Sequence, residues 1–299
     1  MRLKADLSLF VIAIIWGSAF VAQRVAGQLG SIYLFNGVRY ILAGLVVLPF
    51  VPRVRRIADL LHETSREQNK WMFIAGFLLF IAAAFQQAGM LHTTAGNAGF
   101  ITSLYVVLVP MVLFFGWKER PHWLSIFAIA LAGVGAFLLS TGGRFELRTG
   151  DALELGGALF WALHVAVIGK FASKFEAISF SVGQLLICGG LNLILGVFIE
   201  TPVFTWSLAG AALYTAVFSL GFCYTLQVWA QRHTSPADAA LILSLESVFA
   251  VLAGWLLLNE ILVAIQIAGC VLIFIAVGIS QVKNWNSGKI DPTHLVEGR

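Results

Sequence analysis

The sequence has little charge and little cysteine. Asp, Glu, Lys and Arg make up only 11% of its 299 residues, and the net charge is +4. A charge this small, confined to the connections between apolar runs, bears on membrane orientation and does not favour nucleic acid as a partner. The three cysteines, Cys188, Cys223 and Cys270, all lie within apolar runs, which argues against a disulfide framework or a metal site. We expect no cofactor, no metal and no nucleic-acid partner.

Hydrophobic residues make up 59% of the chain, and they are grouped in runs long enough for a helix to cross the hydrocarbon core of a bilayer. The first run lacks a small-residue cleavage site, so we interpret it as a retained span and not a signal peptide. The sequence therefore predicts an all-α polytopic membrane protein in the lipid bilayer. Its ten apolar segments are 6–26, 32–50, 71–91, 97–117, 123–141, 150–170, 178–200, 206–230, 237–258 and 261–281.

The positive charges predict the orientation. If the amino terminus is cytoplasmic, most Lys and Arg residues fall on that side, including those of the basic loop 51–70. This bias predicts a multi-pass protein of the cytoplasmic membrane with both termini in the cytoplasm. The polar tail, 283–299, is expected to be partly a cloning remnant and is left out of the argument.

The second half of the sequence repeats the first. A shift of 145 residues places Trp16 on Trp161, and a shift of 141 aligns the later segments. Two units of five spans each follow, 1–141 and 142–282, and an odd number of crossings inverts the second unit in the membrane. Other aligned pairs are Arg39 with Gln184, Gln86 with Gln227, His92 with His233, Asn97 with Asp238, Ser103 with Ser244, and Glu119 with Glu260.

Inverted repeats favour secondary transport. Two such halves can exchange conformations and so give inward-open and outward-open states around a site near the midplane. A pore or a membrane enzyme remains possible by symmetry alone. An enzyme acting on lipid would need clustered His, Asp or Cys at a membrane surface, and no such constellation is present. We therefore expect a transporter and no catalytic residues.

Three motifs resemble the drug/metabolite transporter superfamily, in its EamA-like branch. The run Phe100–Pro110 followed by Glu119 is similar to the fourth-helix signature. Residues 243–250 and 256–260 are similar to the ninth-helix signature, and Trp16–Phe20 to the first-helix motif. The sequence departs from the family pattern at Ser247, where proline is usual, and at Asn259, where glycine is usual.

The resemblance implies ten-helix exporters of amino acids and other metabolites, and within the branch the chain is most similar to the bacterial aromatic amino acid exporters. It also implies a central cavity lined by spans 1, 3, 4, 6, 8 and 9, with peripheral spans 2 and 7. On that basis Arg39, in span 2, is expected to have a structural partner. Glu119 and Glu260 are expected to belong to helix–helix turns. We expect a small-molecule substrate and a functional monomer.

Trp16 and Trp161 lie in the middle of their apolar segments, whereas tryptophan in a membrane helix usually lies at the headgroup level. Their positions therefore indicate a site near the membrane midplane. With His164 and Glu246, which are costly to bury in a membrane, they predict an aromatic-lined substrate pocket. The candidate substrate-binding residues are Trp16, Ser18, Phe20, Gln86, Tyr105, Trp161, His164, Tyr224, Ser244 and Glu246.

Each candidate also has a purely structural interpretation. Trp16 and Trp161 could serve tight helix packing beside Gly17 and Gly157, and His164 could be neutral and bonded to a neighbouring helix. Glu246 could be protonated and bonded within the bundle. Pro110 predicts a kink in the fourth span.

The leading hypothesis is export of aromatic and other neutral amino acids by alternating access, as a facilitator. The alternative is a multidrug or organic-cation exporter, possibly coupled to protons. In that case Trp16 and Trp161 would bind a cation through their ring faces and Glu246 would supply the countercharge.

Overall fold

A computed structural model describes residues 1–29, 31–51, 63–141, 149–171, 175–258, 261 and 263–287. Glu260, most of the basic loop (52–62) and the end of the polar tail (288–299) lie outside the described residues, so the predictions about them are not addressed. Within the described ranges the chain is helical and contains no β-strand. The all-α prediction is confirmed.

The helices follow the apolar segments of the sequence. By length and composition, nine helical stretches of the described chain could cross a membrane, and a tenth apolar helix, Trp123–Leu139, is shorter. The elements are α1 (Arg2–Gln28), α2 (Tyr33–Val47), a 3₁₀ turn (Leu48–Phe50), α3 (Glu63–Gly89), α4 (Ala95–Ser103), α5 (Tyr105–Trp117), α6 (Trp123–Thr141), α7 (Thr149–Phe171), α8 (Ala177–Ile199), α9 (Trp206–Tyr214), a π-helical stretch (Thr215–Phe222), α10 (Cys223–Ala230), α11 (Pro236–Leu243), α12 (Glu246–Leu258) and α13 (Ala264–Ser287).

One predicted boundary is wrong. The third span was expected to begin at residue 71, after the basic loop, but α3 begins at Glu63. The first turns of α3 are polar, and side chains such as Glu67 and Lys70 have good helix propensity. A helix whose backbone groups are satisfied internally can continue past the apolar run into a polar environment, so hydropathy underestimates its length.

Two spans are interrupted at equivalent places. The fourth is broken at Leu104, between α4 and α5, and the ninth at Ser244 and Leu245, between α11 and α12. Ser103 Oγ donates to the carbonyl oxygen of Phe100 at 2.7 Å, and Ser244 Oγ donates to that of Leu241 at 2.7 Å. Such back-bonding to the preceding turn bends helices.

The interruption of the fourth span lies six residues before Pro110, which was expected to mark the kink; α5 continues through the proline. The eighth span contains a further irregularity, since its middle is the π-helical stretch Thr215–Phe222. π-Helical stretches are rare and occur mostly at functional sites.

Helices α1 and α7 occupy central positions. Helix α1 packs against α4, α9, α10, α11 and α12, and α7 packs against α3, α4, α5 and α11. At the periphery, α2 packs on α8, and α6 packs on α13. The inverted orientation of units 1–141 and 142–282 stays a prediction.

Glu119 lies in the turn that follows α5, where Lys118 has the left-handed φ of 60°. Its carboxylate forms an ion pair with Lys170 near the end of α7. The contact joins the α5–α6 turn to α7, as expected for a structural residue.

Candidate functional site

A cavity lies among the central helices. Seven of the ten candidate residues line it: Trp16, Phe20, Gln86, Tyr105, Trp161, Tyr224 and Glu246. The lining also includes Gln23, Arg39, Tyr40, Thr102, Val165, Ser219, Leu220 and Gln227. The walls thus come from spans 1, 2, 3, 4, 6, 8 and 9 and combine aromatic rings, amides, hydroxyls, one acidic and one basic side chain.

Tyr224, on α10, is the centre of the aromatic wall. Its ring lies 5.3 Å from that of Trp16 and 6.3 Å from that of Trp161, measured between centroids, and the planes of Tyr224 and Trp161 are nearly parallel at 15°. The ring of Tyr40 is 6.4 Å away on another side. The two tryptophans of the repeat therefore meet on one tyrosine, with their rings directed into the bundle and not toward lipid.

Two close contacts hold Trp16 in place. A Cβ added at Gly17 would lie 2.4 Å from Cβ of Phe249 and 2.7 Å from the carbonyl oxygen of Glu246, so only glycine permits this approach of α1 to α12. On the other side, Nε1 of Trp16 donates to the carbonyl oxygen of Ser219 at 2.7 Å. The close helix contact at Gly17 and the position of Trp16 in the cavity lining are thus both present.

The interruptions of the fourth and ninth spans place two polar side chains at the cavity. Tyr105 is the first residue of α5, and Glu246 is the first residue of α12. The two side chains are close enough to interact electrostatically. Both are at most 2% exposed, so each helix begins inside the bundle with its polar residue at the cavity wall.

Several buried polar atoms at this wall have no hydrogen bond of normal length among the described residues. They are Oη of Tyr105, Oε1 of Glu246, Nε1 of Trp161 and both amide atoms of Gln227. A buried polar group without a partner costs about 1–3 kcal/mol. The cluster is therefore suited to bind a polar group of a ligand, or water, within an aromatic cavity.

Gln86 belongs to a buried chain of hydrogen bonds. Its Nε2 donates to Oγ1 of Thr102 at 3.0 Å, and that hydroxyl donates to Oε2 of Glu154 at 3.2 Å. Glu154 is fully buried on α7, behind the cavity wall. The chain orients the amide of Gln86 and connects spans 3, 4 and 6.

Three candidate residues lie outside the lining. The Nε2 atom of His164 is 2.9 Å from Oε1 of Gln184, and its ring packs edge-on against Tyr224 behind the aromatic wall. Ser18 bonds to the hydroxyl of Tyr214 at 2.6 Å and to the backbone of its own helix. Ser244 donates to the backbone at the helix interruption. These side chains support the wall and do not face the cavity.

Arg39 lies in the cavity lining, although its span was expected at the periphery. It was expected in a peripheral span with a structural partner; Asn36 is such a partner, but Arg39 also lines the cavity from α2 and forms no ion pair with any described carboxylate. Its Nε donates to Oδ1 of Asn36 at 3.0 Å, and its guanidinium lies 5.0 Å from the ring of Phe35. The signal available in the sequence was a lone arginine in a membrane span, which by default suggests function.

A polar cluster closes the bundle where α1 begins; we call it the α1-end cluster, and it consists of Arg2, Asp6, Thr234 and Asp238. Oγ1 of Thr234 donates to Asp6 at 2.8 Å, and Nη2 of Arg2 donates to Asp238 at 2.8 Å. Asp238 also accepts from Ser235 at 2.9 Å and from Ser280 at 2.8 Å. The start of α1 is thereby tied to the start of the ninth span.

A matching cluster, the α7-end cluster, consists of Thr93, Asn97 and Asp151. Oδ1 of Asp151 accepts from Oγ1 of Thr93 at 3.0 Å and from Nδ2 of Asn97 at 2.6 Å. Asp6 and Asp151 are 145 residues apart, and Thr93 and Thr234 are 141 apart. The start of α7 is thus tied to the start of the fourth span through residues at the same shifts that relate the two halves of the sequence.

Fold and cavity together define a polytopic membrane protein with an aromatic and polar cavity among its central helices. The model of the EamA-like transporter family matches residues 3–141 and again residues 148–280. The chain therefore belongs to the EamA-like transporter family, whose members are transporters and not enzymes.

Several relatives share nearly the whole chain. An uncharacterized transporter of Archaeoglobus fulgidus is 35% identical over 94% of this chain and 87% of its own. An uncharacterized inner membrane transporter, YedA, of Escherichia coli K12 is 27% identical over 87% and 84%. A solved crystal structure, 15% identical in sequence, aligns with a TM-score of 0.76 over 94% of this chain and 97% of that chain. That structural similarity supports the fold alone.

Proposed function

We propose that this transporter exports aromatic and other neutral amino acids or related metabolites across the bacterial cytoplasmic membrane by alternating access. The observation that carries the proposal is a cavity walled by Trp16, Trp161 and Tyr224, where buried atoms such as Nε1 of Trp161 and the amide of Gln227 form no hydrogen bond with the described residues. A flat apolar side chain packs well between aromatic rings. The α-ammonium group of the same molecule has a carboxylate, Glu246, on the cavity wall.

Alternating access is supported by the position of the cavity between the two polar clusters. Trp16 follows Asp6 by ten residues and Trp161 follows Asp151 by ten residues, which is a rise of about 15 Å along each helix. Both clusters are formed in the structure. In this proposal the structure corresponds to an occluded state, and each cluster opens in turn to admit or release substrate.

Counterflow in proteoliposomes tests the proposal. Vesicles loaded with unlabelled phenylalanine are expected to take up labelled phenylalanine transiently above equilibrium, and the uptake is expected to saturate. A Trp161→Ala variant, which loses the ring that stacks on Tyr224, should lose affinity by about tenfold. A Trp206→Ala variant is the matched control, because Trp206 is exposed at the start of α9. Absence of counterflow with every neutral amino acid would contradict the proposal.

The alternative, a multidrug or organic-cation exporter, is favoured by one observation: Glu246 forms no ion pair with a described cation and lines the same cavity as two tryptophans. A desolvated cation over an aromatic face gains about 2 kcal/mol. Competition separates the two functions. A lipophilic cation that displaces bound substrate, together with no effect of zwitterionic amino acids, would favour drug export.

We propose facilitated diffusion and not proton coupling. His164 is bonded to Gln184 and lies behind the cavity wall, which leaves Glu246 as the described titratable carboxylate at the lining. Phenylalanine flux is therefore expected to be insensitive to an imposed pH gradient. If the flux of wild-type protein stops without the gradient, while a Glu246→Gln variant still transports phenylalanine without it, the result would instead indicate coupling through Glu246.

A further inference from the structure

Arg39 is a buried cation whose position the proposed function does not explain. It is in the middle of α2, only 2% of its surface is exposed, and it faces the same cavity as the aromatic wall. A charged side chain within a membrane span is costly and is retained mainly where it serves a pathway or a ligand. Its surroundings show which kind of ligand fits.

The guanidinium is held in a fixed orientation. Its Nε donates to Oδ1 of Asn36, and Nδ2 of Asn36 in turn donates to the carbonyl oxygen of Ala83 on α3 at 3.0 Å. The rings of Phe35 and Tyr40 lie 5.0 and 5.3 Å from its central carbon. Nε is already hydrogen-bonded, and the plane of the guanidinium packs against the two rings. The two Nη groups remain side by side as a two-pronged donor, or fork, which is the geometry that binds a carboxylate through two hydrogen bonds.

This cation has no anion of its own. It forms no ion pair within the described chain, and Glu246 is not among the groups that interact with it electrostatically. The position aligned with Arg39 in the second half is the neutral Gln184, which bonds to His164, so the cation is not a feature that the two halves share. Glu246 and Arg39 therefore line one cavity without forming an ion pair with each other.

From this arrangement we infer that Arg39 binds the carboxylate of the transported molecule. The inference rests on the proposed function and makes it narrower: the substrate is a zwitterion whose carboxylate pairs with Arg39, whose ammonium faces Glu246 and whose side chain packs on the aromatic wall. A free carboxylate is then required for tight binding. A cationic amine without one leaves the fork of Arg39 empty and buried.

The test measures binding to purified protein in nanodiscs with four probes that share a phenyl ring. L-Phenylalanine has both charged groups, L-phenylalaninamide and phenethylamine lack the carboxylate, and 3-phenylpropionate lacks the ammonium. Wild-type protein is expected to bind phenylalanine at least about tenfold more tightly than phenylalaninamide, because a lost charged pair in a desolvated site costs at least that factor.

Variants of Arg39 test whether this residue causes the preference for phenylalanine over phenylalaninamide. Arg39→Gln should weaken phenylalanine binding by about ten- to a hundredfold and remove the preference over phenylalaninamide, whose affinity should change by less than about threefold. Arg39→Lys keeps the charge but not the fork, so an intermediate loss is expected. Arg24→Gln is the control, because Arg24 bonds to the carbonyl oxygen of Met90 and does not line the cavity.

The inference is overturned if Arg39→Gln keeps the wild-type preference for phenylalanine, or if wild-type protein binds phenethylamine as tightly as phenylalanine. If Arg39→Gln cannot be purified, Arg39→Lys and the wild-type probe series decide. Binding of 3-phenylpropionate that depends on Arg39, without phenylalanine counterflow, would refute the proposed function and support the carboxylate site. Wild-type protein that binds neither carboxylate-bearing probe overturns the inference.

Discussion

The two polar clusters are built on the same plan but differ in charge. Each joins the start of a central helix to the start of an interrupted span, and each uses an aspartate that accepts a hydrogen bond from a threonine. At the α7 end the third member is the amide of Asn97, whereas at the α1 end the equivalent position is the carboxylate of Asp238, which binds Arg2.

This difference indicates unequal strength. The α1 end has a carboxylate at both aligned positions, Asp6 and Asp238, and Asp238 accepts hydrogen bonds from Arg2, Ser235 and Ser280, whereas the α7 end has the carboxylate of Asp151 and the neutral amide of Asn97. Each such hydrogen bond contributes a net of about 0.5–1.5 kcal/mol. We therefore expect the α1 end to be the more tightly closed, so that the two open states are unequally populated without substrate.

The largest effect is expected for Asp238→Ala. Removing this carboxylate eliminates three hydrogen bonds of the α1-end cluster, and opening at that end should become about a hundredfold more frequent. The reporter is a cysteine in place of Val165, which lines the cavity. Its rate of alkylation by a membrane-impermeant maleimide, added from the side on which α1 begins, measures opening at that end.

Glu200→Ala supplies the control for this experiment. Glu200 also accepts three hydrogen bonds, from the backbone N–H groups of Ile32, Tyr33 and Leu34, but it caps α2 and belongs to neither cluster. It should lower thermal stability without favouring alkylation from one side. Equal alkylation rates in Asp238→Ala and its Val165→Cys parent would refute the role of the α1-end cluster.

Asp151→Ala is expected to have the same effect at the opposite end, at about tenfold, since the described contacts that it removes are two hydrogen bonds from neutral donors. Alkylation of the Val165→Cys reporter should rise from the side on which α7 begins and should not rise from the other. An increase from both sides would mean that the aspartate holds the fold together and does not control one end.

Much of the fold follows from apolar length and from the repeat. The ten segments predict the spans because backbone groups in lipid must bond within a helix, which leaves few alternatives to a helical bundle. The start of α3 and the position of the break in the fourth span do not follow. Hydropathy does not detect a helix that continues into water, and the break depends on the back-bonded Ser103, whereas Pro110 is the stronger signal in the sequence.

Residues of the candidate site could be predicted where a residue type that is rare in the middle of a membrane span occurs there, as for Trp16, Trp161 and Glu246. Arg39 is as unusual, but the resemblance placed its span at the periphery, and the direction of a side chain depends on the rotation of α2 against α3 and α8. The role of Tyr224 as the ring joining both tryptophans depends on the π-helical stretch before it, which no sequence pattern indicated.

A substitution that makes the two clusters more alike is expected to have a smaller effect on opening. Asp238→Asn replaces the carboxylate of the α1-end cluster by the amide found at the α7 end. Opening at the α1 end should rise by about fivefold, less than in Asp238→Ala, because the amide oxygen still accepts a hydrogen bond. Alkylation from the two sides should then become more nearly equal, and an unchanged ratio would show that the charge at this position does not set the difference.

The smallest expected effect is that of salt. The side chain of Arg2 is 42% exposed where it binds Asp238, so this ion pair is screened and contributes at most about 1 kcal/mol. Raising NaCl from about 0.1 to 1 M shortens the Debye length from about 10 to 3 Å. Alkylation from the α1 side should therefore rise by less than about fivefold. In Asp238→Asn the weaker pair between Arg2 and Asp6, 3.7 Å apart, remains, so the same change in salt should have a smaller effect on that variant. A salt response as large as that of the wild type would place its origin outside the Arg2–Asp238 contact.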